Sequence, residues 1–384
     1  MDKQKNIICQ TEGELNIKGV LSKGQLPYFL AGARKKTLPA GGNYNVLLNV
    51  IENAKIAARI EISDLPSINH VMLDSSGFSI LTADESNKHI TFDQNRPLSL
   101  SKTGINIAPL HVVQAACELQ PDMMVSLDYP IRRLRTEQEQ CMEFKRKLPY
   151  NIQWAIETST LRDKHCPNIP LFLAVQAYSL EDFREFERNI RGLNFDGLSM
   201  PIRNLGLQEI ALFLFEFYKS GANRVHLLGT SSFLTIGLAA YFSNHYFSWV
   251  SFDSRSWRLA AEHSEYMNPL NLRRESLRLE NIQDKEHLRR YCPCPVCRKH
   301  SLKSIKGYPF AKRTSLLREH NVFATQKVAD DLVQNAATLV TLEKFLKSRT
   351  SIKVVDELID ALRHESISKP QLNTQPSPIL WGNS

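Results

Sequence analysis

"LFLAVQAYSLEDFREFERNIRGLNFDG", Leu171 to Gly197, decides the fold. It opens on an apolar run that stops abruptly at Gln176, as a strand buried on both faces does when it leaves the core. Ser179 then stands as a helix N-cap with Asp182 three residues on, Phe183, Phe186 and Ile190 fall on one helical face, and Gly192 closes the helix.

The same strand-then-helix grammar repeats on either side. "HVMLDSSGF" breaks at Asp74, "DMMVSLDYP" at Asp128, "RVHLLGTSS" at Gly229 and "SWVSFDSRS" at Asp253. "PLHVVQAACELQ" and "GLQEIALFLFEFYKSGA" supply helices before two of these strands. Such repetition predicts a parallel sheet with crossover helices. Polar residues at the carboxyl ends of several strands predict a (β/α)8 barrel whose site lies at its mouth. A doubly wound sheet also places its site at strand ends, but no glycine-rich dinucleotide or phosphate loop follows any strand here.

The expected organisation is a barrel with an N-terminal β segment over 1–270, a metal-binding subdomain over 271–325, closing helices over 326–365 and a loosely ordered Pro/Ser/Asn-rich tail over 366–384. The stretch from Ala83 to Pro109, rich in turn residues with short β-like runs, reads as an excursion on the barrel mouth.

At 384 residues and 42% hydrophobic, the chain is long enough for a large core. No window approaches the roughly 18 uninterrupted apolar residues of a membrane span, and "MDKQKNIICQ" lacks the apolar region of a secretory signal, so the cytoplasm is the expected compartment, with no membrane partner. The net charge of +8 is carried partly by the clusters "RRLR" at Arg132, "KRK" at Lys145, "LRR" at Leu272 and the segment around Arg289. Such patches suit a polyanion and equally suit a solvated face.

Seven cysteines, an odd number with no signal peptide, argue against a disulfide framework. Cys9, Cys117, Cys141 and Cys166 are expected as buried free thiols. Cys292, Cys294 and Cys297, in "YCPCPVCRKH", form C-x-C-x2-C, a spacing that reaches one tetrahedral Zn2+ from a tight turn. The fourth ligand is His300, nearest in sequence, or His320 in "LLREHN". Three thiolates and an imidazole leave no open position, so the metal is expected to be structural. Three aspartates at strand ends, Asp74, Asp128 and Asp253, can face one cavity as nucleophile, acid or base, and acceptor for the N–H groups of a base edge, which suggests glycosyl chemistry.

In order along the chain, "LDSSGF", "VSLDYP", "LAVQAYSLEDFREFERNIRGLNFDG", "HLLGTS", "FDSRS" and "CPCPVCRKH" followed by "REHN" resemble the signature segments of the tRNA-guanine transglycosylase superfamily, over Asp74 to Asn321. The resemblance implies Asp253 as the nucleophile at C1′ of a target nucleotide and Asp74 as general acid/base. It implies Asp128 as acceptor for N1–H and the exocyclic amine of guanine or a 7-deazaguanine base, with Gln176 and the Gly229 backbone at the O6 edge and Phe78 and Leu228 sandwiching the ring. It also implies His320 as the fourth zinc ligand, and by analogy a homodimer.

The departures are specific. Pro201 and Ile202 replace two glycines, Ser76 replaces a glycine, Ser79 replaces a glutamine, and the Thr-Arg-x-x-Arg-Asn-Gly stretch that follows the nucleophile in the tRNA enzymes gives way to "SRSWRLAAEHSEYMNP". The chain therefore most resembles the Dpd-type branch, which inserts 7-cyano-7-deazaguanine into DNA. The expected activity is guanine exchange in DNA on an extruded or single-stranded base, with accessory proteins that open the duplex. Arg255, Trp257 and Arg258 are the expected strand contacts. The alternatives are exchange on tRNA and, from another class, a zinc-stabilised nucleic-acid-binding protein without chemistry. A barrel glycoside hydrolase would set two carboxyls about 5 to 9.5 Å apart around a sugar and would have no need of Asp128 and Gln176.

Overall fold

The structure, a computed structural model, describes residues 24–34, 37–39, 43–53, 68–77, 79–81, 90–91, 98–100, 105–132, 134–177, 179–202, 205–278 and 280–367. Eight parallel strands close a barrel: β1 (Tyr28–Ala31), β2 (Tyr44–Asn49), β3 (Ile68–Asp74), β4 (Met123–Val125), β5 (Leu171–Ala174), β6 (Gly197–Pro201), β7 (Arg224–Leu228) and β8 (Trp249–Ser254). Closure is made by β8 on β1, with Phe29 in register with Asp253. The expected (β/α)8 barrel is the observed fold.

Side chains alternate along each strand, so one set fills the barrel and the other meets the helices. Phe29, Leu47, Met72, Met123, Val125, Phe172, Ala174 and Trp249 form the inner plug. A far larger apolar layer joins the outer strand faces to α1 (Pro109–Leu119), α2 (Glu137–His165), α3 (Leu180–Ile190), α4 (Leu207–Lys219) and α5 (Phe233–His245). The capping box read from the sequence at α3 forms: Ser179 Oγ accepts from Asp182 N and Asp182 Oδ2 accepts from Ser179 N, both at 3.1 Å. Between β3 and α1 the strands Ile90–Thr91, Leu98–Leu100 and Ile105–Ile107 pair as a small antiparallel sheet, within the stretch read as an excursion.

After β8 come α6 (Ser256–Glu262), an antiparallel pair Glu265–Met267 with Arg274–Ser276, short helices at Pro295–Lys299 and Leu302–Gly307, then α7 (Phe310–Asn335), α8 (Leu339–Lys347) and α9 (Ile352–Ile367). The segment between α6 and the start of α7 has its own small core, including Tyr266, Leu288, Val296, Ile305 and Leu317, while the rest of α7, α8 and α9 join the large barrel core. The boundary expected between 325 and 326 falls inside α7. One amphipathic helix serves both parts: His320 belongs to the cysteine cluster, while Val333 and Ala336, at and just past its C-terminal end, accept hydrogen bonds from Asn244 and His245 at the end of α5, each at 2.9 Å.

Of the scattered cysteines, Cys166 is buried, Cys117 half-buried and Cys141 exposed on the outer face of α2, while Cys9 lies outside the described residues. Residues 368–384 of the expected tail also lie outside them. No helix of the described residues is long and apolar enough to cross a membrane.

Candidate active site

Parallel closure brings the carboxyl ends of β3, β4, β5, β7 and β8 to one mouth, and with them Asp74, Asp128, Gln176, Gly229 and Asp253. Asp74 ends β3 and is half-buried. Its Oδ2 accepts from Asn49 Nδ2 on β2 and from Ser76 N, each at 3.3 Å. Burial, then the charges of Asp128 and Asp253, push its carboxyl up to about 7. A carboxyl so raised can give and take a proton near neutrality.

Ser76, which replaces a glycine of the resembling sequences, keeps a left-handed backbone, φ 80°, a conformation that costs an L-residue roughly 1–2 kcal/mol. Its hydroxyl offsets this by donating to Asn49 Oδ1 at 2.7 Å and accepting from Ile51 N at 2.9 Å. Asn49 is thereby locked against Asp74, a role that reading the sequence missed.

Asp128 is buried three residues beyond the short β4. Ser75 Oγ donates to its Oδ1 at 2.7 Å, and Gln176 Nε2 donates to its Oδ2. Burial pushes this carboxyl up to about 6 against those two hydrogen bonds. Gly77 is dictated by close approach, since a Cβ there would lie 2.5 Å from Asp128 Oδ1. Behind the loop the fully buried Lys147 donates to Pro130 O at 2.7 Å, pairs with Glu143 and lies over the Tyr129 ring. One cation of the "KRK" run is therefore a brace for the Asp128 loop and not part of a solvated face.

Asp253 is buried on β8. Gly229, at φ +83°, donates its N–H to Asp253 Oδ1 at 2.9 Å. The backbone N–H of this glycine, expected at a base O6 edge, here holds the aspartate. The neighbouring loop offers little in exchange, because Pro201 has no N–H and Ile202 N donates to Leu228 O at 3.3 Å. Leu228 is half-buried at the end of β7, and Phe78 lies outside the described residues.

The expected strand contacts are placed differently. Trp257 is fully buried and its Nε1 donates to Ala31 O at 3.2 Å; Arg258 is nearly so and its Nη1 donates to Gly32 O at 2.7 Å. Both side chains turn inward to satisfy carbonyls at the end of β1, which leaves no indole face for stacking. Arg255 is half-buried beside Gly32, where a Cβ would come within 2.7 Å of its Nε.

Cys292, Cys294, Cys297 and His320 are all buried, with their ligand atoms within 4.8 Å of one another. His320 Nδ1 lies 3.6, 3.5 and 3.3 Å from the three sulfurs. Metal–sulfur and metal–nitrogen bonds of tetrahedral zinc give such edges at about 3.5 Å. His320 Nε2 faces Met267 O at 2.8 Å, which fixes the tautomer that frees Nδ1, and Tyr266 stacks on the ring at 3.8 Å. The four residues can hold a metal ion. His300 faces Tyr308 instead.

Asp74 also carries a stability signature. Its folded-state pKa of about 7 lies above the ordinary value of about 3.9, so the unfolded chain gives up this proton first as pH rises. The folded state therefore loses stability between those two values, and the loss is complete above the higher one. Asp74→Asn, uncharged throughout, is expected to be more stable than wild type at pH 8, by about 1–3 kcal/mol after allowing for partial exposure, and equal to it at pH 4. Urea unfolding at both values checks this; equal stability at both would show that Asp74 titrates normally.

No protein-family model matches the chain. It is similar to the tRNA-guanine(15) transglycosylase of Korarchaeum cryptofilum, 38% identical over 73 residues, which are 19% of this chain and 11% of that protein. It is similar to the protein of that name from Methanococcus maripaludis strain C6, 22% identical over 305 residues, covering 73% of this chain and 44% of the relative. The Sulfolobus acidocaldarius protein of the same name is 22% identical over 308 residues, 75% of this chain and 57% of the relative. In the two long matches the chain spans about half the length of the relatives. Over roughly three quarters of its length, then, this chain, folded as a closed parallel barrel, is similar to proteins named tRNA-guanine(15) transglycosylase.

Proposed function

We propose that this chain exchanges guanine in a polynucleotide for a 7-deazaguanine base by double displacement at C1′. The observation that carries the reading is the pairing, in one mouth, of a carboxyl raised to about 7 at Asp74 with an Asp253 held through one oxygen by Gly229. In the first displacement an Asp253 lone pair forms the C1′–O bond. The C1′–N9 bond breaks, its electron pair leaves with the purine, and Asp74 supplies the proton. In the second, N9 of the incoming base attacks C1′, the C1′–O electron pair returns to Asp253, and the base's proton goes to Asp74. Asp128 accepts from the N1–H and amine edge, Gln176 is the remaining side-chain donor for O6, and Leu228 supports one ring face. Zinc is the ion that the three-cysteine, one-histidine set suits, and it would fix the C-terminal part without entering the chemistry.

The polymer is tRNA on the reading that the relatives' names support. A DNA substrate remains the second reading, favoured by one observation: α6, which follows the nucleophile, spends Trp257 and Arg258 on the β1 carbonyls, so any grip on the polymer there differs from that of the tRNA enzymes. Incubation with labelled 7-cyano-7-deazaguanine and either tRNA or DNA, followed by nucleoside analysis, separates them. Label in tRNA is expected, label in DNA alone would replace tRNA as the substrate, and label in neither would overturn base exchange.

A further inference from the structure

Below the reacting carboxylate, the side of the barrel interior formed by β6, β7 and β8 carries a polar row where such interiors are usually branched and apolar. His226 on β7 is fully buried and in register with Ser251 of β8 and Ser199 of β6. Its Nδ1 lies 2.6 Å from Ser251 Oγ, and the edge of the Phe29–His226 pair, at 5.8 Å between centroids and 87° between planes, closes the other side. Its Nε2 makes no hydrogen bond among the described residues, and the group it faces, at 3.3 Å, is Asp253 Oδ1. A carboxylate only accepts, so the tautomer that suits this contact carries its proton on Nε2, with Nδ1 accepting from the Ser251 hydroxyl.

Resting on the base-exchange reading, we propose that His226 is the positioning residue for the nucleophile and that it sets the balance between the free carboxylate and the glycosyl ester. Gly229 N–H and His226 Nε2–H both address Oδ1, which leaves Oδ2 to form the bond to C1′. A donor on Oδ1 is worth most when the oxygens carry a full charge, before attack and again after release. As the C1′–O bond breaks in the second displacement and its electron pair returns to Asp253, the contact to Nε2 shortens and draws the equilibrium away from the ester. The oblique contact in the free enzyme is one that tightens in the complex.

His226→Leu removes the donor. Trapping with substrate polymer and denaturing gel analysis are expected to show the ratio of ester to free enzyme raised about 10- to 100-fold, with turnover down about 100-fold and the KM for the base unchanged. His226→Gln, which keeps an N–H at similar reach, is expected to bring the ratio back towards wild type. A His226→Leu protein that melts like wild type and keeps its ester ratio and turnover would overturn the proposal. So would a loss of turnover accompanied by an equal loss of base affinity, because that is what a general collapse of the mouth gives. Independently of any exchange, 15N NMR of labelled histidines reads the pair directly: the Nε2 signal of His226 is expected to move in Asp253→Asn. An unmoved signal sinks the inference even if base exchange holds, while wild type that exchanges no base, with a signal that does move, sinks only the base-exchange reading.

Discussion

Asp253→Asn is expected to lower base exchange at least about 10⁴-fold and to abolish the covalent protein–nucleic acid adduct. The isosteric amide keeps an Oδ1 that can accept from Gly229 N–H, now at 2.9 Å, so the mouth retains its shape. What it loses is the charged oxygen proposed to attack C1′, and no neighbour can substitute: Asp74 is raised to about 7 and tied to Asn49 and Ser76, while Asp128 is tied to Ser75 and Gln176. Binding of the free base, measured by calorimetry, is expected to stay within a few-fold of wild type, since its polar edge meets Asp128 and not Asp253. Exchange by the variant within tenfold of wild type, or an adduct that survives the change, would remove Asp253 from its role. Base binding that collapses with it would instead mean that Asp253 belongs to the recognition edge.

Much of this arrangement is legible in the sequence because a buried parallel strand is an apolar run with a definite end. Asp74, Gln176, Gly229 and Asp253 each lie at or within two residues of such an end. Asp128 fits less well, because β4 is only Met123–Val125 and the aspartate sits in the loop beyond. His226 and Asn49 escaped for the complementary reason. A single polar residue inside an apolar strand has no meaning until closure shows which face points into the barrel and which residue of the next strand it meets. Trp257 and Arg258 read as surface residues because cations and an aromatic after a catalytic strand suit a polymer as well as they suit a core. Only the Ala31 and Gly32 carbonyls decide between them. The same limit applies to α7, whose periodicity runs unbroken from Phe310 to Asn335 while its partners change from the cysteine cluster to α5.

Removing the metal is expected to unfold the segment 264–307 around the cysteines while the barrel, and the later helices that share its core, persist. Cys292, Cys294, Cys297 and His320 are 4%, 0%, 2% and 0% exposed, and the core around them is small. Without an ion, three sulfurs and an imidazole would be left crowded in a dry site, with thiols that hydrogen-bond weakly. Structural zinc contributes about 10–16 kcal/mol of apparent binding free energy in isolated small domains at neutral pH, more than a core of this size supplies. The loss should travel along α7, because Asn321, next to His320, donates to Trp257 O at 3.2 Å and accepts from Met267 N at 3.0 Å, joining the cluster to α6 just after β8, the strand of Asp253. Chelation, or Cys294→Ser, is therefore expected to abolish amide-exchange protection over 264–307, to split thermal unfolding into two steps, and to lower base exchange by more than tenfold, with free-base binding at Asp128 largely kept. Metal analysis of the purified chain should give one zinc per molecule. A chain that contains no stoichiometric metal, and whose protection over 264–307 is indifferent to both chelator and Cys294→Ser, would show that the cluster holds its shape by packing alone.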